Sequence, residues 1–256
     1  MSSDGFRLAL GTLTRVPAGP VDRVTRPIAR TAMVLGSVVL IPVALVSAGI
    51  GWAAWRLGAP DLVAGLLVVG LVAQLTRAMH WDGLADTADG LGSSWDRERA
   101  LTIMRTGDVG PMGAGTLVVV IGLEAASYGS LLTTRWGWLM VAAVICVSRA
   151  ALVLGCLTRV PAARPEGLGQ AVAGSVPSWA AAVVWLVWAG LLAGVAVLGG
   201  GPVWAGPTIA GGGLVCAGVL LWWCVRRLGG ITGDVLGAII EATAAGAAVV
   251  AAVVGA

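Results

Sequence analysis

The chain has 256 residues, 58% of them hydrophobic and 11% charged, with a formal net charge of +3 and a mean hydropathy of +0.93. A soluble domain is nearer 45–50% apolar and about 25% charged, so this composition excludes one and points to a polytopic membrane protein. All sixteen basic residues are arginine; without a lysine there is no Walker A motif and no P-loop nucleotide triphosphatase.

The first thirty residues, MSSDGFRLALGTLTRVPAGPVDRVTRPIAR, hold five arginines and no apolar run long enough for a cleaved signal peptide. They read as an interfacial amphipathic segment, with Phe6, Leu8 and Leu10 against the bilayer surface. The stretch TAMVLGSVVLIPVALVSAGIGWAAW (31–55) is uncharged and long enough to cross about 30 Å of hydrocarbon. Further spans are expected at 62–79, 112–132, 136–157, 179–199, 203–225 and 234–255. The last reads weakly, because it is rich in Ala and Gly and carries Glu241. The expected architecture is an all-α bundle of about seven transmembrane helices forming a single membrane-embedded catalytic domain over 1–256, with an acidic-motif helix and loop at 80–111.

Arginine orients the bundle. The N-terminal segment, the loop over 80–111, the loop over 158–178 and the turn over 226–233 hold most of it, whereas Arg56 and Arg135 stand on the other side and Arg149 lies inside a span. The positive-inside rule then puts the N-terminus and these loops in the cytoplasm. The hexapeptide LTRVPA occurs at 13–18 and again at 157–162, both times at the expected cytoplasmic interface.

Polar chemistry gathers in MHWDGLADTADGLG (79–92), beside His80, the only histidine. On a helix, Asp82, Asp86 and Asp89 fall at i, i+4 and i+7 and share one stripe. Trp81, Leu84, Ala85, Ala88 and Leu91 fill another face. Like charges at this spacing repel by about a few tenths of a kcal/mol each in water, and by more near a low-dielectric surface. Either water solvates the stripe or a divalent cation neutralises it. The four cysteines form no CxxC pair and one histidine cannot build a zinc site, so the metal would be a hard ion held by oxygen. Mg²⁺ takes one or two carboxylates, keeps waters and completes its shell with substrate phosphates.

Two further stretches suit anions. IMRTGDVGPMGAG (103–115) brings Arg105 and Asp108 to the start of a span. RRLGGITGDVLGA (226–238) sets two arginines before Gly229, Gly230, Thr232, Gly233 and Asp234 at a helix start, where backbone N–H groups approach a phosphate. Thr232 or Asp234 serves equally well as a plain N-cap. Glu124 and Glu241 lie within spans and no partner is visible for either. An enzyme built of these parts is a phosphotransferase. Mg²⁺ bridges a diphosphate, arginines hold the developing charge, and one carboxylate or His80 takes the proton from an attacking hydroxyl.

Four ordered pieces resemble the cobalamin synthase family, adenosylcobinamide-GDP ribazoletransferase: FRLALGTLTRVP, HWDGLADTADGLGSSWDRERALTIMR, SRAALVLGCLTRVPAARPEGLGQ and LGGITGDVLGAIIEAT. They run from residue 6 to 243. The resemblance implies a multi-pass enzyme of the bacterial inner membrane with its active site on the cytoplasmic face. It implies Mg²⁺-dependent joining of adenosylcobinamide-GDP to α-ribazole or its 5′-phosphate with release of GMP, the last step of nucleotide-loop assembly in coenzyme B12. Its partners are these small molecules and membrane lipid, with no nucleic acid. By position it carries His80, Asp82, Asp86 and Asp89 into the acidic motif, Arg97 and Arg99 into the basic pair after it, Arg149 and Arg159 into the third piece, and Gly229, Gly230, Thr232, Gly233 and Asp234 into the fourth.

Two departures stand out. Family members usually carry Gly where this chain has Arg77, and an acid directly after the Arg of IMR, where this chain has Thr106 and then Asp108. The competing readings are a CDP-alcohol phosphotransferase, whose signature needs an Ala-Arg pair absent after DGLADTADG, and a cation transporter, whose acids usually sit near the bilayer midplane.

Overall fold

The computed structural model describes residues 3–255 except residue 94. Among them there are thirteen helices and no strand, only two isolated bridges, Leu157 with Val176 and Ala162 with Ile231. Helix α1 (Ser3–Leu13) packs against α2 (Arg26–Val39), which runs on through Leu40 into α3 (Ile41–Arg56). Pro27 and Pro42 stand in the first turns of α2 and α3, where a missing N–H costs nothing. Leu8 and Leu10 of α1 pack on the core while Phe6 stays exposed. The amphipathic segment therefore turns part of its apolar face inward onto α2.

Six helical stretches are long and apolar enough to cross a membrane: Arg26–Arg56, Pro111–Leu132, Gly137–Gly155, Ser178–Gly199, Ala205–Leu228 and Gly233–Val254. The pair α4 (Asp61–Leu75) and α5 (Met79–Ser93) passes the same test only when taken together, and it is bent by 94° at the break between them. Six of the seven expected spans therefore appear within a few residues of their expected ends; the second, expected over 62–79, is a 15-residue helix that turns sharply into the acidic helix. The hinge holds Arg77 and Ala78 in left-handed conformation, with φ of 62° and 52°. That conformation costs an L-residue roughly 1–2 kcal/mol, and it explains why glycine suits the position of Arg77. Here Arg77 compensates with its side chain, whose Nη2 donates to the carbonyls of Gly11 and Thr12 at 2.8 and 3.0 Å.

The span that read weakly in sequence, α13 (Gly233–Val254), is one of the most buried. It contacts α5, α7 (Pro111–Leu132), α8 (Gly137–Ser148), α9 (Ala151–Gly155) and α12 (Ala205–Leu228). Its alanines and glycines let neighbouring backbones approach closely, as helices in lipid require; a methyl at Gly246 would lie 2.6 Å from Cys216 Sγ and 3.0 Å from Gly212 O. The composition that weakens α13 as a lipid-facing span suits it to the bundle centre. The remaining long helix, α11 (Ser178–Gly199), packs against α12 and α8.

The end of the bundle where α5, α7, α11 and α13 begin and α9 and α12 finish carries the short helices α6 (Arg97–Ile103) and α10 (Gly167–Val172). Both copies of LTRVPA lie at this end. The first is tied to α4 by Arg15 N donating to Leu75 O, and the second to residue 176 by Thr158 N donating to Val176 O.

Candidate active site at the α5–α13 crossing

Helix α5 meets the N-terminus of α13 backbone to backbone. A Cβ on Gly83 would lie 2.7 Å from Asp234 O and 2.9 Å from Asp234 Cα, and one on Gly237 would lie 3.2 Å from His80 Cα. Glycine at both places lets the acidic motif and the GGITGD motif share one site, although they are some 150 residues apart in sequence. A cavity of about 140 Å³ opens there, lined by Thr12, Leu13, His80, Asp82, Gly233 and Asp234 among others.

The expected acid stripe exists as a helix face, but only its first member is solvated. Asp82 is exposed, whereas Asp86 and Asp89 are buried. Asp86 feels the like charge of Asp82, Asp234 and Asp89, with Arg164 as the opposing charge. Asp89 does something different. Its Oδ2 accepts from Gly110 N at 2.7 Å and its Oδ1 from Gly113 N at 2.9 Å, so its carboxylate caps the N-terminus of α7 from another helix. Negative charge there is favoured by the helix dipole, and the glycines at 110 and 113 leave room for it: a Cβ on either would come within 2.5 Å of an Asp89 oxygen.

The fourth motif forms a tight corner. Gly229, with φ of 77°, ends α12. Gly230 lies against residues 161–163, where a Cβ would lie 2.3 Å from Pro161 O. Ile231 exchanges backbone hydrogen bonds with that segment: its N–H donates to Pro161 O, and its carbonyl accepts from Ala163 N. Thr232 is the N-cap of α13, its Oγ1 accepting from Val235 N at 3.2 Å and donating to Asp234 Oδ2 at 3.1 Å. Capping therefore accounts for Thr232, and it leaves Asp234 facing the cavity beside Asp82.

The arginines divide into three kinds. Arg97 is tied into the scaffold: Nε donates to Leu228 O and Nη2 to Ala163 O, at 2.8 and 2.7 Å, which closes the C-terminus of α12. Arg149 is buried inside the bundle, and its Nη2 lies 3.2 Å from His80 Nδ1. Arg99 and Arg159 are exposed, and Arg105 pairs with Glu166 at 2.7 Å at the surface. Asp108 is exposed.

Arg164, in the arginine-bearing loop over 158–178, stands between the acids and the other arginines. Its Nη2 donates to Leu101 O at 2.7 Å and its Nη1 lies 3.7 Å from Asp234 Oδ2. Burial pushes its guanidinium below the ordinary arginine value and Arg105 adds to this, against the pull of Asp234, Asp86 and Glu166. Its Nε is buried without a partner. With Arg97 and Arg105 it lines a second cavity of about 220 Å³. The arginine cavity and the carboxylate cavity thus meet at the Arg164–Asp234 contact. The only sequence signal for Arg164 was its place inside the third motif piece.

No three Asp, Glu, His or Cys side chains among the described residues form an all-protein metal cage. The donor set fits instead a hard divalent cation that takes one or two carboxylates and completes its shell with water and phosphate. Asp82 and Asp234 both line the cavity and are the carboxylates that could hold such a cation, with Asp86 on the same helix face as Asp82. The four cysteines are free thiols within or beside helices.

The family model for cobalamin-5-phosphate synthase matches residues 5–252. Adenosylcobinamide-GDP ribazoletransferase of Nocardioides sp. (strain ATCC BAA-499 / JS614) is 44% identical over 238 residues, covering 93% of each chain. The protein of that name from Frankia casuarinae is 35% identical over 93% of this chain and 91% of its own, and that from Bradyrhizobium diazoefficiens is 36% identical over 91% and 87%. No solved structure matches the chain. With a family model spanning nearly its whole length and relatives of this similarity, the chain belongs to the cobalamin-5-phosphate synthase family.

Proposed function

We propose that this chain is an adenosylcobinamide-GDP ribazoletransferase, the activity named for its relatives. The observation that carries the reading is the junction of two cavities, one bearing Asp82 and Asp234 and the other bearing Arg97, Arg105 and Arg164. A nucleoside diphosphate ester needs both, cation sites for its charge and arginines to orient its oxygens. The acceptor is α-ribazole or its 5′-phosphate. Its 3′-hydroxyl forms a new O–P bond to the phosphorus that stays with cobinamide, the P–O bond to the guanylate breaks, and GMP leaves. A carboxylate of the cluster accepts the hydroxyl proton.

Asp82 and Asp234 would hold Mg²⁺, which supplies charge neutralisation on the diphosphate. Arg164 and Arg105 bind phosphate oxygens. Arg97, committed to two backbone carbonyls, shapes that cavity, and Asp89 and Thr232 fix the helices that carry the acids. Arg159 and Arg99, exposed at the same end, meet the outer part of a bulky substrate. The site lies at the arginine-rich end of the bundle, which supports a cytoplasmic face in the inner membrane and a cytoplasmic N-terminus. Arg56 and Arg135 line a separate cavity at the opposite end.

The test is product identification by purified protein in lipid nanodiscs. Given adenosylcobinamide-GDP and α-ribazole with Mg²⁺, it yields GMP and a cobalamin in equal amounts. Folded protein that forms neither product, with either acceptor, overturns the proposal. CDP-alcohol substrates and ion flux then test the two competing readings.

A further inference from the structure

Within the bundle, apart from the acidic cavity, Glu124, Glu241, Arg149, Tyr128 and His80 enclose a small polar cluster. Five polar side chains buried in the membrane interior are expensive unless they find partners among themselves. Arg149 is the one guanidinium among them, beside the carboxyls of Glu124 and Glu241.

The same geometry decides which imidazole nitrogen carries the proton. Arg149 Nη2 lies 3.2 Å from His80 Nδ1. Guanidinium can only donate, so Nδ1 must accept, and the proton of a neutral ring is then on Nε2. The competing partner for an Nδ1–H donor, Glu241 Oε1, is 3.8 Å away, beyond a hydrogen bond. A ring protonated on both nitrogens would set two donors against each other. Arg149 is itself held in place, since it sits at the break between α8 and α9 and its Nη1 donates to Ser148 Oγ at 2.8 Å.

His80 Nε2 is buried and has no protein partner, and His80 lines both the inner cluster and the cavity of Asp82 and Asp234. We propose that Arg149 is a positioning residue that locks His80 as the Nε2–H tautomer, making it a neutral hydrogen-bond donor to a phosphoryl oxygen rather than the base that the sequence offered. The tautomer stands whatever the reaction is; its use on a phosphoryl group rests on the transferase reading above.

His80 is the only histidine, so ¹⁵N-histidine labelling gives one pair of ring-nitrogen signals with nothing to disentangle. The protein, purified without a histidine tag and placed in nanodiscs, is read by solid-state NMR. The expected spectrum has a protonated Nε2 and an unprotonated Nδ1, retained in Arg149→Lys and lost in Arg149→Met. With the transfer assay, Arg149→Met lowers kcat about 100-fold, the size of losing one transition-state hydrogen bond, at little change in KM, and Arg149→Lys recovers much of it. A protonated Nδ1 in the wild-type spectrum overturns the tautomer. An Arg149→Met variant with the wild-type spectrum or wild-type kcat overturns the positioning role. Should Arg149→Met fail to fold, the wild-type and Arg149→Lys spectra decide. An Nε2–H spectrum in a protein that transfers nothing tells against the transferase reading and leaves the tautomer standing.

Discussion

Gly83→Ala tests how closely α5 must approach α13. The new Cβ would stand 2.7 Å from Asp234 O, where ordinary contact begins at 3.4 Å. The obstacle is backbone and cannot rotate away, so the helices must part by about 0.7 Å. Overpacking of this kind costs about 1–3 kcal/mol. The activity loss should be larger than the stability loss suggests, because Asp82 and Asp234 lie on opposite sides of this crossing and misplacement by about 1 Å can cost about 100-fold in rate. Gly122→Ala is the control, since a Cβ there meets nothing within 4 Å. Denaturant titration and GMP release are measured for both in nanodiscs. We expect Gly83→Ala to lose about 10- to 100-fold in turnover while remaining folded, and Gly122→Ala to match wild type. Wild-type turnover and stability in Gly83→Ala would refute the close crossing as the basis of the site.

Asp89→Asn removes the charge of the α7 cap and replaces one of its two acceptor oxygens with an NH₂ that faces a backbone N–H donor, so unfolding should show a loss of about 1–3 kcal/mol, while the Mg²⁺ concentration for half-maximal rate stays near wild type. Ala78→Gly relieves a left-handed alanine and should be neutral or stabilising by up to about 1 kcal/mol, whereas Ala78→Val should destabilise; thermal or denaturant unfolding reads both. Arg164→Gln removes charge between the two cavities and should raise KM for the corrinoid substrate about 10-fold or more, the worth of one charged hydrogen bond, in steady-state kinetics at fixed acceptor.

Much of the fold was legible because a bilayer imposes strict rules on composition and length. Each uncharged run of about twenty residues could only be a span, and the concentration of arginine at one end marked the face that carries the acids. The 94° turn after Leu75 was not legible, since Arg77 and Ala78 are not residues that announce a left-handed hinge. The acid stripe was visible as a period in sequence, but periodicity cannot tell a solvated face from a buried one. Asp82, Asp86 and Asp89 look alike in the pattern; only the approach of α7 shows that Asp89 is its cap. Arg149 and Arg164 belong to one motif piece, yet burial separates them, one into the bundle with His80 and the other onto Asp234. Glu124 and Glu241 had no visible partner because they are 117 residues apart in the chain and only folding brings both to the small cavity that Arg149 also lines.

The central claim is that Asp82 and Asp234, brought together across the α5–α13 crossing, hold the metal that the transfer needs. Its most direct test is a Mg²⁺ titration of GMP release from adenosylcobinamide-GDP for wild type, Asp82→Asn and Asp234→Asn in the same nanodiscs. The account predicts no release without Mg²⁺. It predicts that each substitution raises the half-saturating Mg²⁺ concentration about tenfold or more, equivalent to about 1.4 kcal/mol or more. Half-saturation unchanged in both variants would contradict it.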